Sequence, residues 1–334
     1  MVAASNDPSG EQRTLFTLCG LVRDPVFQKC TEAAMYLEKE YGDEFCMEIF
    51  REMPCEFYNR RDRLVNSKRI TDANMDVIVL VRNADRFGAL RTGSLGDGDN
   101  FNGRSGSEYA MSGEAFLEMI REKTRFRILN IPPTQPDSYE NMAYKSWKQY
   151  LRERGNSYCW MDISIDNVAR GRITFELFSR LVPRTCGNFW HLCAGDLGNI
   201  VQEGSGEPLT LSYKNSTFFR TLHGAWVMGG DISGGSGRGG YSIYGRYFPN
   251  ESYAIPHDKA GVLGMCNDGG DSNASSFYIT MKAMQWMNGR YVAFGRVVDG
   301  MDVVEAIHAV NVKHNQSPLK SITISDCGVI DLTE

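Results

Sequence analysis

Three prolines fall within five residues of this chain, at Pro132, Pro133 and Pro136. Proline has no backbone N–H and a fixed φ angle, so no regular helix or central strand can run through this segment. Beyond it, aromatic and apolar side chains at spacings of three and four predict a connecting helix over residues 138–154 that stops at Gly155. The chain has 334 residues, enough for about two domains. The predicted ranges are 13–130 for the first domain, 131–157 for the proline-rich linker with its helix, and 158–334 for the second domain.

The charge balance bears on the kind of partner. Lys and Arg total 36 against 41 Asp and Glu, which gives a formal charge of −5 and no basic excess to neutralise phosphates. The first apolar run, residues 15–22, is too short for a membrane span or a signal-peptide core. We therefore expect a cytoplasmic protein with no nucleic-acid or membrane partner.

Cysteine usage limits the chemistry further. The chain has 9 cysteines and 5 histidines, with no CxxC pair and no finger-like spacing of ligands. An odd number of cysteines without such pairs argues against a disulfide framework. We expect no metal site and no cofactor, and thiols that are mostly buried in a reducing compartment.

The first domain alternates between strand and helix patterns. Asp24 is placed to cap a helix, and Pro25 suits its first turn. Residues 91–106, rich in Gly, Asp, Asn and Ser, are expected to form a mobile loop. The predicted strands are 15–20, 44–50 and 77–81, and the predicted helices are 25–41 and 112–123.

This order of elements resembles the thioredoxin and glutaredoxin fold, and residues 109–119 are similar to the glutaredoxin segment that enters the last helix. In that family a CxxC pair follows the first strand, where the helix N-terminus lowers the thiol pKa. Here the position reads Asp24-Pro25-Val26-Phe27, and Cys30 lies one turn further into the helix. We therefore expect an α/β, thioredoxin-like domain without redox activity, with a structural Cys30 and a role in protein interaction.

The second domain has short β-branched and aromatic runs separated by glycine turns, which is typical of an antiparallel β domain. Its segments resemble the cyclophilins, a class of peptidyl-prolyl isomerases, in the family's order along the chain. The resemblance implies a mainly-β, eight-stranded antiparallel barrel capped by two helices, the second at residues 301–309. The matching segments are 171–178, 182–189, 218–220, 229–231, 239–245, 261–265, 275–279 and 292–297.

The family catalyses cis–trans isomerisation of peptide bonds that precede proline, and this reaction determines which chemical groups the site needs. Rotation about an Xaa-Pro bond crosses a barrier of about 18–20 kcal/mol, which a fixed cationic donor aimed at the prolyl nitrogen can lower. By resemblance Arg220 is that catalytic donor, since it follows Phe218-Phe219 as the family's arginine does. The alternative is a surface arginine on a strand.

The other positions that the resemblance assigns to the peptide groove mostly depart from the family. Phe219 stands for its histidine, Ala225 and Trp226 for its pocket phenylalanine and methionine, and Met228 for a glutamine. Cys266-Asn267 stand for its alanine-asparagine pair, Ser276 for a second glutamine, Tyr278 for a phenylalanine, and Tyr291 for a histidine. Trp286 is kept, with Met287 beside it in place of leucine.

These departures leave two functions open. We predict weak or absent isomerase activity, weak or absent cyclosporin binding, and a groove altered for a different ligand or for none. The protein would then act as a protein-binding or structural module, with proteins or proline-containing peptides as partners. The alternative is an active isomerase that uses Arg220 to assist folding. Trp226 either fills the pocket from within or lines its edge, and the two geometries differ in whether proline can enter. The resemblance extends to a divergent cyclophilin branch associated with motile cilia, which implies axonemal microtubule partners and a cilium location.

One insertion has two interpretations. The segment at residues 192–213 is about a dozen residues longer than its counterpart in the simplest cyclophilins, and a surface loop accommodates such an insertion at low entropic cost. The insertion is either a solvated excursion or a partner contact through Ile200, Val201, Leu209 and Leu211. The glycine run at 234–240 lacks the Lys-Ser/Thr of a phosphate loop and is expected to be a barrel loop.

Overall fold

This computed structural model describes residues 13–70, 72–82, 108–128, 135, 137–202 and 206–333. The chain divides into two compact units, Met1–Tyr150 and Leu151–Glu334. The loop predicted at 91–106 and the three prolines of the predicted linker lie outside the described residues.

The first unit is a mixed four-stranded sheet with helices on both faces. Its strand order is β2-β1-β3-β4, with β1 parallel to β2 and antiparallel to β3, and β4 antiparallel to β3. The elements are β1 (Thr14–Leu21), α1 (Pro25–Tyr41), β2 (Phe45–Glu52), α2 (Pro54–Asn66), β3 (Val77–Arg82), β4 (Glu108–Ser112) and α3 (Gly113–Lys123).

Alternation along β1 divides the core of this unit between the two faces of the sheet. Phe16 packs in one cluster with Phe27 of α1 and Phe116 of α3, whereas Cys19 packs in another with Phe57 of α2. The three predicted strands and two predicted helices are confirmed. The sequence did not predict α2, because its buried side chains Phe57 and Leu64 are two turns apart and give only a weak apolar periodicity.

The connecting helix is confirmed as α4 (Tyr139–Arg154), which ends just before Gly155, whose φ is +67°. Its first turns pack within the first unit. Tyr139 Oη donates to Glu32 at 2.5 Å, and Tyr150 Oη donates to Glu56 at 3.2 Å. Up to residue 150 the helix therefore belongs to the packed structure of the first unit.

The second unit is a nearly closed antiparallel barrel. Its eight strands run in the order β14-β5-β6-β13-β11-β12-β10-β9, and the two edges meet where Thr217 bridges Thr323. The elements are β5 (Ser157–Ile165), β6 (Val168–Leu177), α5 (Pro183–Ala194), β7 (Asn199–Val201), β8 (Pro208–Thr210), β9 (Phe218–Leu222), β10 (Trp226–Gly229), β11 (Val262–Met265), β12 (Phe277–Thr280), a 3₁₀ turn (Gln285–Met287), β13 (Ala293–Asp299), α6 (Met301–His308) and β14 (Ile322–Val329).

Side chains from both helices complete the barrel core. Phe189 of α5 lies 5.2–5.5 Å, between ring centroids, from Phe175, Phe277 and Phe294. Ile307 of α6 is fully buried in the same cluster. The expected eight-stranded barrel with two helices is thus confirmed.

The insertion at residues 192–213 forms a small hairpin, in which β7 pairs with β8. Leu209 and Leu211 are buried, and Ile200 packs against the barrel core. Of the four side chains considered for partner contact, only Val201 is exposed, at 69%. The hairpin is therefore mostly an extension of the core, and residues 203–205 lie outside the description.

Candidate functional site

One row of residues crosses four neighbouring strands of the barrel. Arg220 on β9 pairs in register with Met228 on β10, which pairs with Tyr278 on β12, which pairs with Gly264 on β11. Residues in register across adjacent strands have neighbouring side chains on one face. The strand order thus brings together residues that lie up to 58 positions apart in sequence.

A β-bulge in β9 aims Arg220 out of the barrel. Met228 pairs with Arg220 and Gly229 pairs with Phe218, so Phe219 is the extra, unpaired residue. In a regular strand Phe218 and Arg220 would share one face. With the bulge, Phe218 is 2% exposed in the core whereas Arg220 is exposed. Bulges next to active sites commonly re-aim a side chain in this way.

The guanidinium of Arg220 has unused hydrogen-bonding capacity. It forms no hydrogen bond or ion pair with any residue that the structure describes. It lies near Cys266: burial raises the pKa of that thiol, and the positive charge of Arg220 partly opposes the rise. Its donors are therefore available to a ligand.

Most of the predicted groove residues form one apolar cluster beside this row. Ala225, Tyr278, Met284 and Met287 are its buried members, at 7%, 1%, 6% and 3% exposure. Leu222, Trp226, Met228, Cys266 and Tyr291 pack against them. The cluster brings together Ala225 and Tyr278, which stand where the family has its pocket phenylalanines, and Trp226. Met284 and Leu222 also belong to it, and the sequence did not predict them.

Trp226 is packed against this cluster. Its indole Nε1 is buried and has no hydrogen-bond partner among the described residues. Its ring centroid lies 6.0 Å from that of Trp286, which in turn lies 6.1 Å from Tyr291. Trp286 is the outermost of these rings, with 48% exposure. The indole of Trp226 thus adds bulk beside Ala225.

The remaining polar groove positions offer little to a ligand. Ser276 is 6% exposed, and its hydroxyl has no hydrogen-bond partner within the described chain. Its carbonyl accepts from the Cys266 N–H at 2.9 Å. The side chain of Asn267 is engaged locally, because its Oδ1 accepts from the Gly269 N–H at 3.1 Å and its Nδ2 lies 3.5 Å from the Arg290 carbonyl.

Phe219 does not join the cluster. A Cβ built on Gly237 would lie 2.3 Å from the Phe219 ring, so this ring packs directly on the glycine-rich loop. Its position follows from the bulge, which takes Phe219 out of the β9–β10 pairing. The sequence resemblance assigned Phe219 to the groove because it precedes Arg220, and this assignment stays a prediction.

Sequence reasoning also missed Asp231, which organises the glycine-rich loop. Its carboxylate is 1% exposed and accepts from five backbone N–H groups at 2.8–3.3 Å. The donors are those of Ser233, Gly234, Ser236, Gly237 and Gly239. The run at 234–240 is accordingly a barrel loop closed around a carboxylate, as expected.

His257 is a second residue that sequence reasoning missed. It is fully buried and contacts both Tyr278 and Asn288, next to the cluster. Burial lowers the pKa of His257, which keeps the ring neutral. A lone histidine carried no signal of this role in the sequence.

Two other features, a metal cluster and a membrane-spanning helix, are absent from the described residues. These residues contain no group of three or more His, Cys, Asp or Glu side chains placed to hold a metal ion. In the same portion of the chain, no helix has the length and apolar content needed to cross a membrane. All 9 cysteines are free thiols, and five of them, including Cys30, are buried.

The sequence of this barrel is similar to those of known proteins. The family model described as cyclophilin type peptidyl-prolyl cis-trans isomerase/CLD matches residues 160–329. A Bos taurus protein named "Probable inactive peptidyl-prolyl cis-trans isomerase-like 6" is 40% identical over 193 residues, which cover 58% of this chain and 61% of that relative. The Homo sapiens protein of the same name is 37% identical over 208 residues, 62% of this chain and 65% of that relative.

A relative with a different name also matches. "Peptidyl-prolyl cis-trans isomerase 9" of Caenorhabditis elegans is 41% identical over 169 residues, which cover 51% of this chain and 53% of that protein. In all three relatives, the match spans less than two thirds of their length.

Proposed function

This chain belongs to the cyclophilin-type peptidyl-prolyl cis-trans isomerase family, and on that premise we propose that its groove binds proteins or proline-containing peptides with weak or absent isomerisation. It is a divergent cyclophilin-like protein, similar to relatives whose names describe them as inactive. The observation that carries the proposal is the register of Arg220 with Met228 across β9 and β10.

The chemistry of the reaction explains why this pairing matters. Catalysis needs the cation at the prolyl nitrogen and also donors that hold the peptide chain on either side in the twisted transition state. Met228 offers a thioether, which donates no hydrogen bond and accepts only weakly. Losing one hydrogen bond of this kind costs about 1–3 kcal/mol, and about 1.4 kcal/mol is tenfold in rate.

The pocket supports the same proposal. Ala225 is small where the family has a phenylalanine, and Trp226 packs against it within the cluster. A pocket with this altered shape binds a proline ring less well and holds it less firmly. For the same reason we propose weak or absent cyclosporin binding, although Trp286 is kept and exposed.

A second candidate function is an active isomerase that uses Arg220 to assist protein folding. The observation in its favour is that Arg220 is exposed and forms no hydrogen bond or ion pair with the described residues. An exposed guanidinium on the groove side of the bulge would supply the cation that the reaction needs at the prolyl nitrogen.

We propose that the first unit is a thioredoxin-like module that has lost redox chemistry and binds a protein. Its strand order β2-β1-β3-β4, with a parallel β1–β2 pair, supports this proposal. Where a redox thiol would lie, the Asp24 carboxylate instead accepts from the Val26 N–H at 2.6 Å and caps α1. Cys30 is buried, which raises its thiol pKa to about 12 and makes it unreactive.

We further propose cytoplasmic partners that include axonemal microtubule proteins in the cilium, a proposal that rests on the resemblance to the divergent cyclophilin branch. Co-sedimentation of the full chain with purified axonemal microtubules tests it. We expect the chain to pellet with the microtubules, and a chain that stays in the supernatant at all microtubule concentrations contradicts the proposal.

An NMR titration of the full chain with a short Xaa-Pro peptide tests the groove. We expect peptide-dependent shifts of the Trp286 indole signal, assigned with a Trp286→Phe variant. Exchange between the cis and trans peptide signals should stay close to the rate without protein. Rapid exchange that Arg220→Ala abolishes supports the active isomerase instead, and the absence of any shift contradicts both functions.

A further inference from the structure

The hydrogen-bonding groups of His257 all connect to the wall of the groove. Its carbonyl accepts from the Met284 N–H at 2.8 Å, and its own N–H donates to Asn288 Oδ1 at 2.8 Å. Its ring Nδ1 lies 2.9 Å from the same Oδ1, and its Nε2 lies 2.6 Å from the Tyr278 hydroxyl. A fully buried residue is thus bonded through both backbone groups and both ring nitrogens.

The pattern of donors fixes the tautomer. A backbone N–H only donates, so the Asn288 atom that it reaches is the amide oxygen. That oxygen can only accept, so Nδ1 of His257 carries the proton and donates to it. Nε2 is then the acceptor, and the Tyr278 hydroxyl donates to it.

These bonds join two walls of the groove, the strand β12 and the turn that follows it. Tyr278 is on β12, in the row that contains Arg220, whereas Met284 and Asn288 flank the 3₁₀ turn that carries Trp286. The Tyr278 ring also stacks on the His257 ring, with centroids 5.9 Å apart at 29°. His257 contacts both walls at once.

The strand beneath leaves room for this arrangement. A Cβ on Gly264 would lie 2.2 Å from the Tyr278 hydroxyl, so the ring lies across β11 where a side chain would otherwise be. The hydroxyl is satisfied by His257 and is therefore not offered to a ligand. Tyr278 is 1% exposed, so it contributes a buried ring to the apolar cluster and no free hydroxyl.

We propose that His257 is a positioning residue of the groove, one that ties Tyr278 on β12 to the turn carrying Trp286 so that both walls keep one geometry for a bound peptide. Through Asn288 it fixes the turn, and through Nε2 it fixes the tyrosine ring. The peptide-binding part of this inference rests on the proposed function, whereas the coupling of the two walls does not.

Backbone hydrogen exchange of the full chain tests the coupling. Tyr278→Phe removes the donor to Nε2, and Asn288→Ala removes the acceptor for Nδ1–H. We expect each variant to speed the exchange of amides at 284–291 about tenfold or more. Tyr278→Phe removes the hydrogen bond between Tyr278 and His257, and Asn288→Ala removes the two hydrogen bonds that His257 donates to this segment. Asn288→Asp keeps an acceptor oxygen and should retain exchange within about twofold of the unmodified chain.

A matched control removes a different buried tyrosine hydroxyl. Tyr158 is fully buried and donates to Glu176 at 3.1 Å, outside the groove. Tyr158→Phe should leave exchange at 284–291 unchanged. Unchanged exchange in Tyr278→Phe and Asn288→Ala overturns the inference, as does equal acceleration in Tyr158→Phe. If Tyr278→Phe fails to fold, the comparison of Asn288→Ala with Asn288→Asp decides alone.

A peptide titration separates the inference from the proposed function. If the unmodified chain binds an Xaa-Pro peptide, Tyr278→Phe and Asn288→Ala should each weaken binding at least threefold, and Asn288→Asp should not. Unchanged affinity in a variant whose segment exchanges faster overturns the positioning role. If the unmodified chain binds no peptide, the proposed function fails, and the exchange result still supports or overturns the coupling by His257.

Discussion

Arg220 and Met228 pair in register on adjacent antiparallel strands, so the exposed cation of the groove has a thioether as its cross-strand neighbour. The bulge at Phe219 turns the guanidinium outward, and the pairing sets what lies next to it. In the proposed function Arg220 supplies the cation, and the residue paired with it carries a thioether, which donates no hydrogen bond.

Restoring a donor next to Arg220 should increase activity. Met228→Gln places an amide opposite the guanidinium, and we expect kcat/KM for an Xaa-Pro peptide to rise about tenfold, the worth of one hydrogen bond to the peptide chain. Met228→Leu, which restores no donor, is the matched control and should not raise it. The gain should disappear when Arg220→Ala is added, and a gain that survives this change contradicts the assigned role of Arg220.

Glu176 should be a major determinant of barrel stability. It is fully buried, with Arg296 at 2.7 Å and Arg154 at 2.9 Å. Glu176→Ala leaves two cations without their carboxylate, and we expect a loss of about 3 kcal/mol in the free energy of unfolding. Urea denaturation measures it, with Asp162→Ala as the exposed ion-pair control expected to cost under about 1 kcal/mol. Equal losses in the two variants would contradict this account.

The same carboxyl predicts a loss of stability in acid. Burial alone would raise the pKa of Glu176, but Arg296, Asn156 and Arg154 together lower it below its usual 4.5. A carboxyl with a lowered pKa stabilises the fold above its unfolded pKa, and this contribution is lost as the pH falls through the folded value. We expect stability to drop below about pH 4.5. Glu176→Gln should flatten that part of the pH profile, and an unchanged profile would count against the buried carboxylate.

His257 predicts a second pH effect, nearer neutrality. Burial lowers its pKa from 6.5, with Asn288 and Asp258 partly opposing the shift, so the unfolded chain takes up a proton before the folded one. Stability should therefore fall as the pH drops below about 6.5. His257→Gln should reduce this slope in thermal unfolding, while the exposed control His314→Gln should not. A slope that is the same in both variants contradicts a neutral, buried His257.

Asp231 should be required for the glycine-rich loop. Its carboxylate accepts from the backbone N–H groups of Gly234, Ser236 and Gly237, among others. Asp231→Asn replaces one acceptor oxygen with an NH₂ that faces these donors, and we expect a loss of about 2 kcal/mol in unfolding free energy. Phe219, which packs on this loop, should become more mobile by NMR. A variant as stable as the unmodified chain would contradict this role for the carboxylate.

Local sequence signals predicted most of the elements. Asp24 and Pro25 marked the start of α1, and Gly155 marked the end of α4, because capping side chains, prolines and glycines act on backbone within a few residues of themselves. Helix α2 was not predicted, since its two buried side chains are spaced too widely to give a periodic pattern. Strand β4, which leads directly into α3, was not distinguished from the start of that helix.

The site was predicted only in part, for a physical reason. Ordered motifs brought Ala225, Trp226 and Tyr278 to the groove, and the structure packs them together. Phe219 packs on the glycine-rich loop rather than in this cluster, since the one-residue bulge takes it out of the β9–β10 pairing, and a bulge is not visible in a linear pattern. His257 and Asp231 were missed because their roles consist of hydrogen bonds to residues in other segments, which a linear pattern does not encode.

We propose that the groove has kept its cation and lost efficient catalysis. The most direct test is the cis/trans exchange rate of an Xaa-Pro peptide with the full chain, measured by NMR beside an ordinary cyclophilin at equal concentration. We predict peptide-dependent chemical-shift changes in the protein, together with an exchange rate at least about a hundredfold below that with the ordinary cyclophilin. The two glutamine positions of the family are Met228 and Ser276 here, and the loss of two hydrogen bonds at about tenfold each gives this factor. An exchange rate within about tenfold of that cyclophilin, abolished by Arg220→Ala, would contradict the account.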